Sequence, residues 1–228
     1  MSRTKSEHFG NFSLSVVIPT LNASKTLPGC LASLRPGAHL IREIIIVDGG
    51  SADDTLQLTE AAIVVNAPAG RGGQLRAGIA VASGDFLLLL HADTRLGANW
   101  PEAVAAANPD MAGYFRLRLN SPRRLARMIE RVVALRCWIL TLPYGDQGLL
   151  ISQALLTQIG GMPDLPLMED VALVRRLKGR LRPLPADATT SAEKYERDGW
   201  LRRPLRNLLC LALYFAGFPP EKIGKIYG

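Results

Sequence analysis

Apolar positions along the chain gather into short unbroken runs rich in Val, Ile and Leu, at residues 14–18, 43–47, 63–65 and 86–90. Between them lie stretches of amphipathic or small-residue character. Runs that are apolar on both faces predict buried strands of a parallel sheet. The intervening stretches predict helices over 24–34, 53–61, which opens on acidic residues, and 71–82. Each joins one strand to the next by a crossover of helical length, so right-handed βαβ units are expected. Beyond Trp100, residues 111–119 predict another strand, 123–140 a basic amphipathic helix and 148–152 a short strand. Low-complexity tracts, internal repeats and linker-like stretches are missing from the sequence. The fold class expected is α/β, with an open, mostly parallel central sheet flanked by helices.

Composition narrows the class. With 228 residues, 48% hydrophobic and 21% charged, the chain can bury one sizeable core, and disorder, collagen and coiled coil are excluded. Residues 1–13 form a polar tail without the apolar core of a secretion signal, so a cytoplasmic location is expected. The longest uncharged apolar stretch, 208–218, is about half of what a bilayer core requires, which excludes a spanning helix. Cys30, Cys137 and Cys210 are widely spaced and form no C-x-x-C pair, as suits reduced thiols. Lys and Arg exceed Asp and Glu by seven, so the protein should attract polyanions, anionic lipid or a phosphorylated small molecule. Aromatic residues are only 6% of the chain and are not interleaved with the basic ones, so nucleic acid is not an expected partner.

Open parallel sheets bind ligands outside the carboxyl ends of their strands. The residues there are Pro19 and Thr20 after the first strand, Asp48 after the second, 67–71 after the third, and His91, Ala92 and Asp93 after the fourth. In Val47-Asp48-Gly49-Gly50-Ser51, a carboxylate at a strand end could accept two hydrogen bonds from a base or ribose, or could simply cap its turn. Gly70-Arg71-Gly72-Gly73-Gln74 lacks the Lys-Ser/Thr of a P-loop and the G-x-G-x-x-G spacing. It could bring backbone close to a ligand at a helix start, with Arg71 on a phosphate or base, or be a flexible turn with a solvated Arg. An aspartate such as Asp93, delivered by an apolar strand, can hold a hard divalent cation that bridges phosphate oxygens. His91 would suit Mn²⁺ better than Mg²⁺, or serve structurally. Glu169-Asp170 opens a helical run, where acids are favoured by the macrodipole and where Asp170 could equally be a general base.

Taken together these motifs resemble the inverting family-2 glycosyltransferases of the GT-A fold, over residues 14–184. Val16-Val17-Ile18-Pro19-Thr20-Leu21-Asn22 looks like the family's opening strand and nucleotide loop, and Val47-Asp48-Gly49-Gly50-Ser51 like its second acidic turn. His91-Ala92-Asp93 looks like its D-x-D metal site, with His91 where the first carboxylate usually stands. Met168-Glu169-Asp170 matches the late E-D pair. His91-Ala92-Asp93-Thr94 with Tyr144-Gly145-Asp146-Gln147-Gly148 further resembles a bacterial subgroup associated with arsenosugar-type biosynthesis.

The resemblance implies transfer of a sugar from a nucleoside-diphosphate donor, most simply UDP-linked, to a hydroxyl of a small-molecule or lipid-linked acceptor, with inversion. It implies Asp170 as base, Asp93 with His91 at a divalent cation (Mn²⁺ or Mg²⁺), and Pro19, Thr20, Asp48, Arg71 and Ala92 along the nucleotide. Asp146, Gln147 and Glu169 are candidates for the acceptor or donor sugar, although 145–148 could be an ordinary turn. The division expected is 14–95 for the nucleotide-binding half, 96–190 for the acceptor half and 191–228 for C-terminal helices. Two other classes compete: a sugar-phosphate nucleotidyltransferase, whose basic, Gly-rich loop after the first strand is lacking here, and a non-enzymatic nucleotide-binding or membrane-docking module. For the last, Arg123, Arg124, Arg127, Arg131 and Arg136 on one helix, and Arg202, Arg203 and Arg206 beside Trp200, could dock on the inner face of an anionic membrane or be merely solvated.

Overall fold

The computed structural model describes residues 12–59, 61–177 and 179–227. Most of the polar tail expected over 1–13, and Glu60 of the helix expected over 53–61, lie outside the described residues. In chain order the elements are β1 (Leu14–Thr20), α1 (Leu27–Leu34), β2 (Ile41–Asp48), β3 (Ile63–Asn66), α2 (Arg71–Val81), β4 (Phe86–Leu89), β5 (Thr94–Leu96) and α3 (Trp100–Ala105). There follow β6 (Ala112–Leu119), α4 (Arg124–Leu140), β7 (Leu149–Ser152), α5 (Gln153–Gln158), α6 (Glu169–Arg176), β8 (Leu181–Thr190), α7 (Glu193–Asp198), α8 (Arg202–Phe215) and α9 (Pro220–Tyr227).

One sheet runs in the order β3-β2-β1-β4-β7-β6-β8-β5. Its first four strands are parallel, as the unbroken apolar runs predict. Strand β7 is antiparallel to both β4 and β6, β8 is parallel to β6, and β5 closes the far edge antiparallel to β8. Alternate side chains feed two cores. Val17, Ile45, Val47 and Leu87 pack toward Leu75 of α2, Cys137 of α4 and Val171 of α6. Val16, Ile18, Ile46 and Leu88 pack toward Leu27 and Leu34 of α1 and Trp100 of α3. Each such buried side chain contributes about 1.5–3 kcal/mol. Trp100 is fully enclosed, donates Nε1–H to the Ser33 carbonyl at 3.0 Å, and lies so close to Gly37 that a Cβ there would sit 2.3 Å from the indole.

Two expectations change. Strand β3 is not buried: it forms the sheet edge, with Ile63 46% and Val64 41% exposed. The stretch 53–61 makes a single 3₁₀ turn over Asp54–Leu58 instead of a helix. Asp53 caps that turn by accepting from the Thr55 amide at 3.1 Å and also holds the Ser24 amide at 3.1 Å, while Thr55 Oγ1 accepts from the Ala23 amide at 2.8 Å. Pinned to the loop after β1, the segment has no room to wind on, so the β2-to-β3 crossover is not helical. Strand β8 carries Pro183 and Pro185, which cannot donate to a ladder, and its register against β6 shifts between Tyr114 and Arg116 where they fall. The three cysteines are free and buried.

Candidate active site

The carboxyl ends of β1, β2 and β4 lie side by side, which sets Pro19, Thr20, Asp48 and the 91–93 segment along one sheet edge. Asp48 is buried and its carboxylate is fully engaged. It accepts from Thr20 Oγ1 at 3.0 Å, the Gly50 amide at 2.9 Å, the Ser51 amide at 2.7 Å and Ser51 Oγ at 2.6 Å. Burial pushes its pKa up, but those four donors outweigh burial and the net direction is down. Four bonds match the lone-pair capacity of a carboxylate. Asp48 and Thr20 therefore shape the loop, and a ribose hydroxyl could reach Asp48 only by displacing one of its own turn bonds. Pro19 is buried inside β1 opposite Val47, and Ala92 is half-buried against the α1 core.

Beside that edge is a cavity of about 100 Å³ whose lining includes Arg71, His91, Asp93, Asp146 and Asp170. Five residues spread over a hundred positions of sequence thus meet in one cleft. Asp170 opens α6 after Met168, which takes the left-handed conformation at φ 65°. Its Oδ1 accepts from the Val171 amide and its Oδ2 from the Gly145 amide, each at 2.8 Å, and Arg71 Nη2 stands 3.9 Å from Oδ2. His91 Nε2 lies 3.3 Å from Arg71 Nη1. Burial, with the Arg71 and Lys194 charges adding to it, drives the His91 pKa well below its usual value, so the imidazole is neutral. Gly145 makes this packing feasible, because a Cβ there would lie 2.8 Å from His91 Nε2.

The glycine-rich segment also serves packing. A Cβ at Gly72 would fall 2.6 Å from the Leu165 carbonyl and 3.3 Å from Glu169 Cβ, so glycine lets the start of α2 approach the start of α6. Arg71 Nε is thereby hydrogen-bonded to Oε1 of the buried Glu169. Burial raises the Glu169 pKa against the opposing pull of Arg71. Glu169 holds Arg71 and lines the adjoining, mostly apolar cavity that also meets His91 and Asp170. Gln147 also turns away from the cleft: its Nε2 donates to the Phe115 carbonyl at 3.0 Å, and its Oε1 accepts from the Tyr144 amide at 3.3 Å, fixing the turn that carries Asp146.

Several residues here escaped sequence reasoning. Gln74 spans the ends of β1 and β2, donating to the Thr20 and Val47 carbonyls at 2.8 Å each. Tyr144, Lys194, Arg203 and Asn207 line the acidic cavity from loops and from α7 and α8. Only the Tyr144-Gly145 pairing beside Asp146 gave a sequence signal, and it did not point to a wall of the cleft.

The resemblance implies a divalent cation, and the donor set can be tested against one. Asp146 Oδ1 is enclosed without a hydrogen-bond partner, and burial, reinforced by Asp170 and Asp93, pushes that carboxyl up to about 6. An orphaned carboxylate oxygen beside two further acids suits a cation, with Arg71, Lys194 and Arg203 balancing the three acids of the lining. Yet among the described residues no three His, Cys, Asp or Glu side chains form a ready-made metal cluster. These residues fit a hard cation that takes one or two carboxylates and completes its shell with phosphate oxygens and water.

The raised Asp146 pKa has a stability consequence in metal-free protein. Between pH 3.8 and about 6 the unfolded chain loses this proton while the folded one keeps it. The group's contribution is therefore full below pH 3.8 and declines as pH rises through about 6, by up to ~3 kcal/mol. Denaturant unfolding in chelator from pH 4 to 7 should show that decline in the parent and not in Asp146→Asn. Identical slopes would remove Asp146 as its source.

The sequence profile of glycosyl transferase family 2 matches residues 15–140, more than half of the chain. The chain belongs to glycosyl transferase family 2. It is 33% identical over 91 residues to a PGL/p-HBAD biosynthesis glycosyltransferase of Mycobacterium bovis (strain BCG / Pasteur 1173P2), covering 36% of each protein. It is 30% identical over 144 residues to an undecaprenyl-phosphate 4-deoxy-4-formamido-L-arabinose transferase of Yersinia pestis (strain Pestoides F), covering 52% of this chain and 43% of that one. The matches thus span less than half the length of either relative. Among solved structures, glucosyl-3-phosphoglycerate synthase from Mycobacterium tuberculosis, crystallised with Mn²⁺, UDP-glucose and phosphoglyceric acid, superposes with a TM-score of 0.62 at 21% identity over 91% of this chain and 80% of that one. The family-2 chain accordingly has the GT-A fold that its resemblance to the family implied, on the mostly parallel α/β sheet that its strand pattern predicts. These relatives lend no support to the arsenosugar association.

Proposed function

We propose that this family-2 chain transfers a glycosyl group from a nucleoside-diphosphate donor, UDP-linked by preference, to an acceptor hydroxyl with inversion at the anomeric carbon. The observation that carries the reading is the convergence of Asp93, Asp146 and Asp170 with Arg71 and His91 on one cavity beside the carboxyl ends of parallel strands. In a single displacement, the acceptor oxygen bonds to the anomeric carbon, the bond from that carbon to the diphosphate oxygen breaks, and the acceptor proton passes to the Asp170 carboxylate. The Gly145 and Val171 amides aim that carboxylate. Arg71, oriented by Glu169, meets the negative charge gathering on the diphosphate. Asp93, with Asp146 beside it, would hold a divalent cation, which when bound neutralises diphosphate charge. Neutral His91 supports Arg71.

Pro19, Thr20 and Asp48 shape the nucleoside loop, Ala92 contributes backbone beside it, and Gln147 fixes the turn that presents Asp146 to the sugars. The half-and-half division, 14–95 for nucleotide and 96–190 for acceptor with helices over 191–228, belongs to this reading. So does a location in the cytoplasm, with contact to the inner face of an anionic membrane. The Yersinia relative's undecaprenyl-phosphate name supports a lipid-linked acceptor here; the phosphoglyceric acid bound by the synthase supports a small anionic one. The loop after β1, Leu21-Asn22-Ala23-Ser24, has neither Gly nor Arg, which weighs against the nucleotidyltransferase alternative.

A thermal-shift screen of nucleoside diphosphates with and without Mn²⁺ or Mg²⁺ tests the donor class. At a hundred times Kd, UDP with metal should add about 2.7 kcal/mol, a rise in midpoint of roughly 5–10 °C. A flat response to every nucleoside diphosphate would sink the reading.

A further inference from the structure

Helix α8 is mounted inside out. Three of its polar residues face inward: Arg203 is buried and paired with Asp198 at 3.1 Å, Arg206 is hydrogen-bonded to the same carboxylate, and Asn207 lines the cleft. Cys210 and Leu211 join the core, but Leu201, Leu205, Leu208 and Phe215 recur at helical spacing on the outside and are 50–65% exposed. Helix α4 is apolar on both its faces. Ala126, Ile129, Val133 and Cys137 fill the core, while Met128, Leu135, Trp138 and Ile139 form a second stripe on the outside, Trp138 being 80% exposed. A groove of about 760 Å³ lies between the C-terminal parts of the two helices, with Leu140 of α4, Tyr214 of α8 and Arg175 and Arg176 of α6 among its lining residues. Two apolar stripes joined by a groove are far more than the scattered exposed side chains of an ordinary surface.

We propose that the outward faces of α4 and α8 dock on an anionic lipid bilayer. Charge selects this occupant. Arg124 and Arg131 share the outer stripe of α4 with Met128 and Leu135, Arg202 stands exposed at the start of α8, and Arg175 and Arg176 are exposed beside the groove. Helix α8 contains no acid, and the one acid of α4, Glu130, is buried and engaged by Arg118, Arg127 and the Leu119 amide. The acid in the groove lining, Asp164, is paired with Arg76 at 2.6 Å. Apolar residues ringed by cations match an anionic interface, where each Lys or Arg near the surface adds about 1 kcal/mol. A second copy packed by two-fold symmetry would instead set one basic patch against another.

This corrects the sequence expectation in its residues. Arg203 and Arg206 are held against Asp198, Arg127 bonds the Leu119 and Ser121 carbonyls, and Arg136 lies over the Tyr144 ring at 3.6 Å, so these four are committed to contacts within the protein. Trp200 stacks on Tyr195. The surface is independent of the donor chemistry, so its test reads vesicles and not transfer.

The full chain should sediment with phosphatidylcholine vesicles containing phosphatidylglycerol at least tenfold more than with phosphatidylcholine alone, and lose that advantage in high salt. Leu205→Ser combined with Leu208→Ser should lower the partition coefficient tenfold or more while leaving the melting midpoint and the UDP-induced shift unchanged. Arg124→Gln with Arg131→Gln, a second pair on exposed positions, should erase most of the preference for anionic vesicles. Absence of sedimentation, or sedimentation unaffected by both pairs, overturns the proposal. So does a dimer seen by light scattering that the leucine pair dissolves without any vesicle binding by the parent.

Discussion

Asp170→Asn is expected to retain metal-dependent UDP binding and to lose transfer, with kcat lower by about 10²–10⁴. The asparagine is isosteric and can still accept from the Gly145 and Val171 amides that hold the native side chain at 2.8 Å each. Its amide cannot take up the acceptor's proton as the new bond forms. Geometry is thus preserved while the one required proton acceptor disappears, and a steady-state assay alongside calorimetric UDP titration separates the two. Full turnover by this variant would end the assignment of the base and shift attention to Asp146, the neighbouring carboxyl whose pKa is pushed up to about 6.

Asp93→Asn should act at the other end of the reaction. Removing this charge takes away a hard anionic ligand while keeping the shape of the cleft, so UDP affinity in the presence of Mn²⁺ or Mg²⁺ should fall about a hundredfold, ~2.8 kcal/mol. Without metal, the variant should bind UDP as well as or better than the parent, because the acidic cavity then repels the diphosphate less. The contrast between the two conditions is the diagnostic result. Equal losses with and without metal would mean that Asp93 contacts the nucleotide directly and holds no cation.

Strands β1, β2 and β4 were legible because a strand buried on both faces has no polar alternation to confuse it, and Val16, Ile46 and Leu88 each sit inside such a run. Strand β3 reads the same way, yet Ile63 and Val64 lie at a sheet edge, since one chain segment cannot report whether a neighbour will pair on its far side. Strand β8 was hidden by Pro183 and Pro185, acceptable only because the ladder to β6 slips there. Asp54–Leu58 looked helical from its acidic start, whereas its hydrogen bonds to Ala23 and Ser24 come from 30 residues away.

The site shows the same division. Motifs at strand ends marked Asp48 and Asp93, and one at a helix start marked Asp170, but the pairing of Arg71 with Glu169, 98 positions apart, had no local signature. The glycine-rich spelling suggests a close approach of backbone to a ligand, but carries no sign that Gly72 also gives clearance between the starts of α2 and α6. Arg203 and Asn207 were unreadable for a deeper reason: on an amphipathic helix the polar side is assumed to face water, and here it faces a cleft.

That reversal ties two boundaries of the molecule to one rigid rod. Asn207 touches the acidic cleft and Leu208, the next residue, meets the exterior, so a tilt of α8 of a few degrees would resize the chamber and reposition the outer rim together. Whatever seats the outer rim of this rod would therefore also set the width of the chamber, while the exposed leucine side chains themselves stay clear of it.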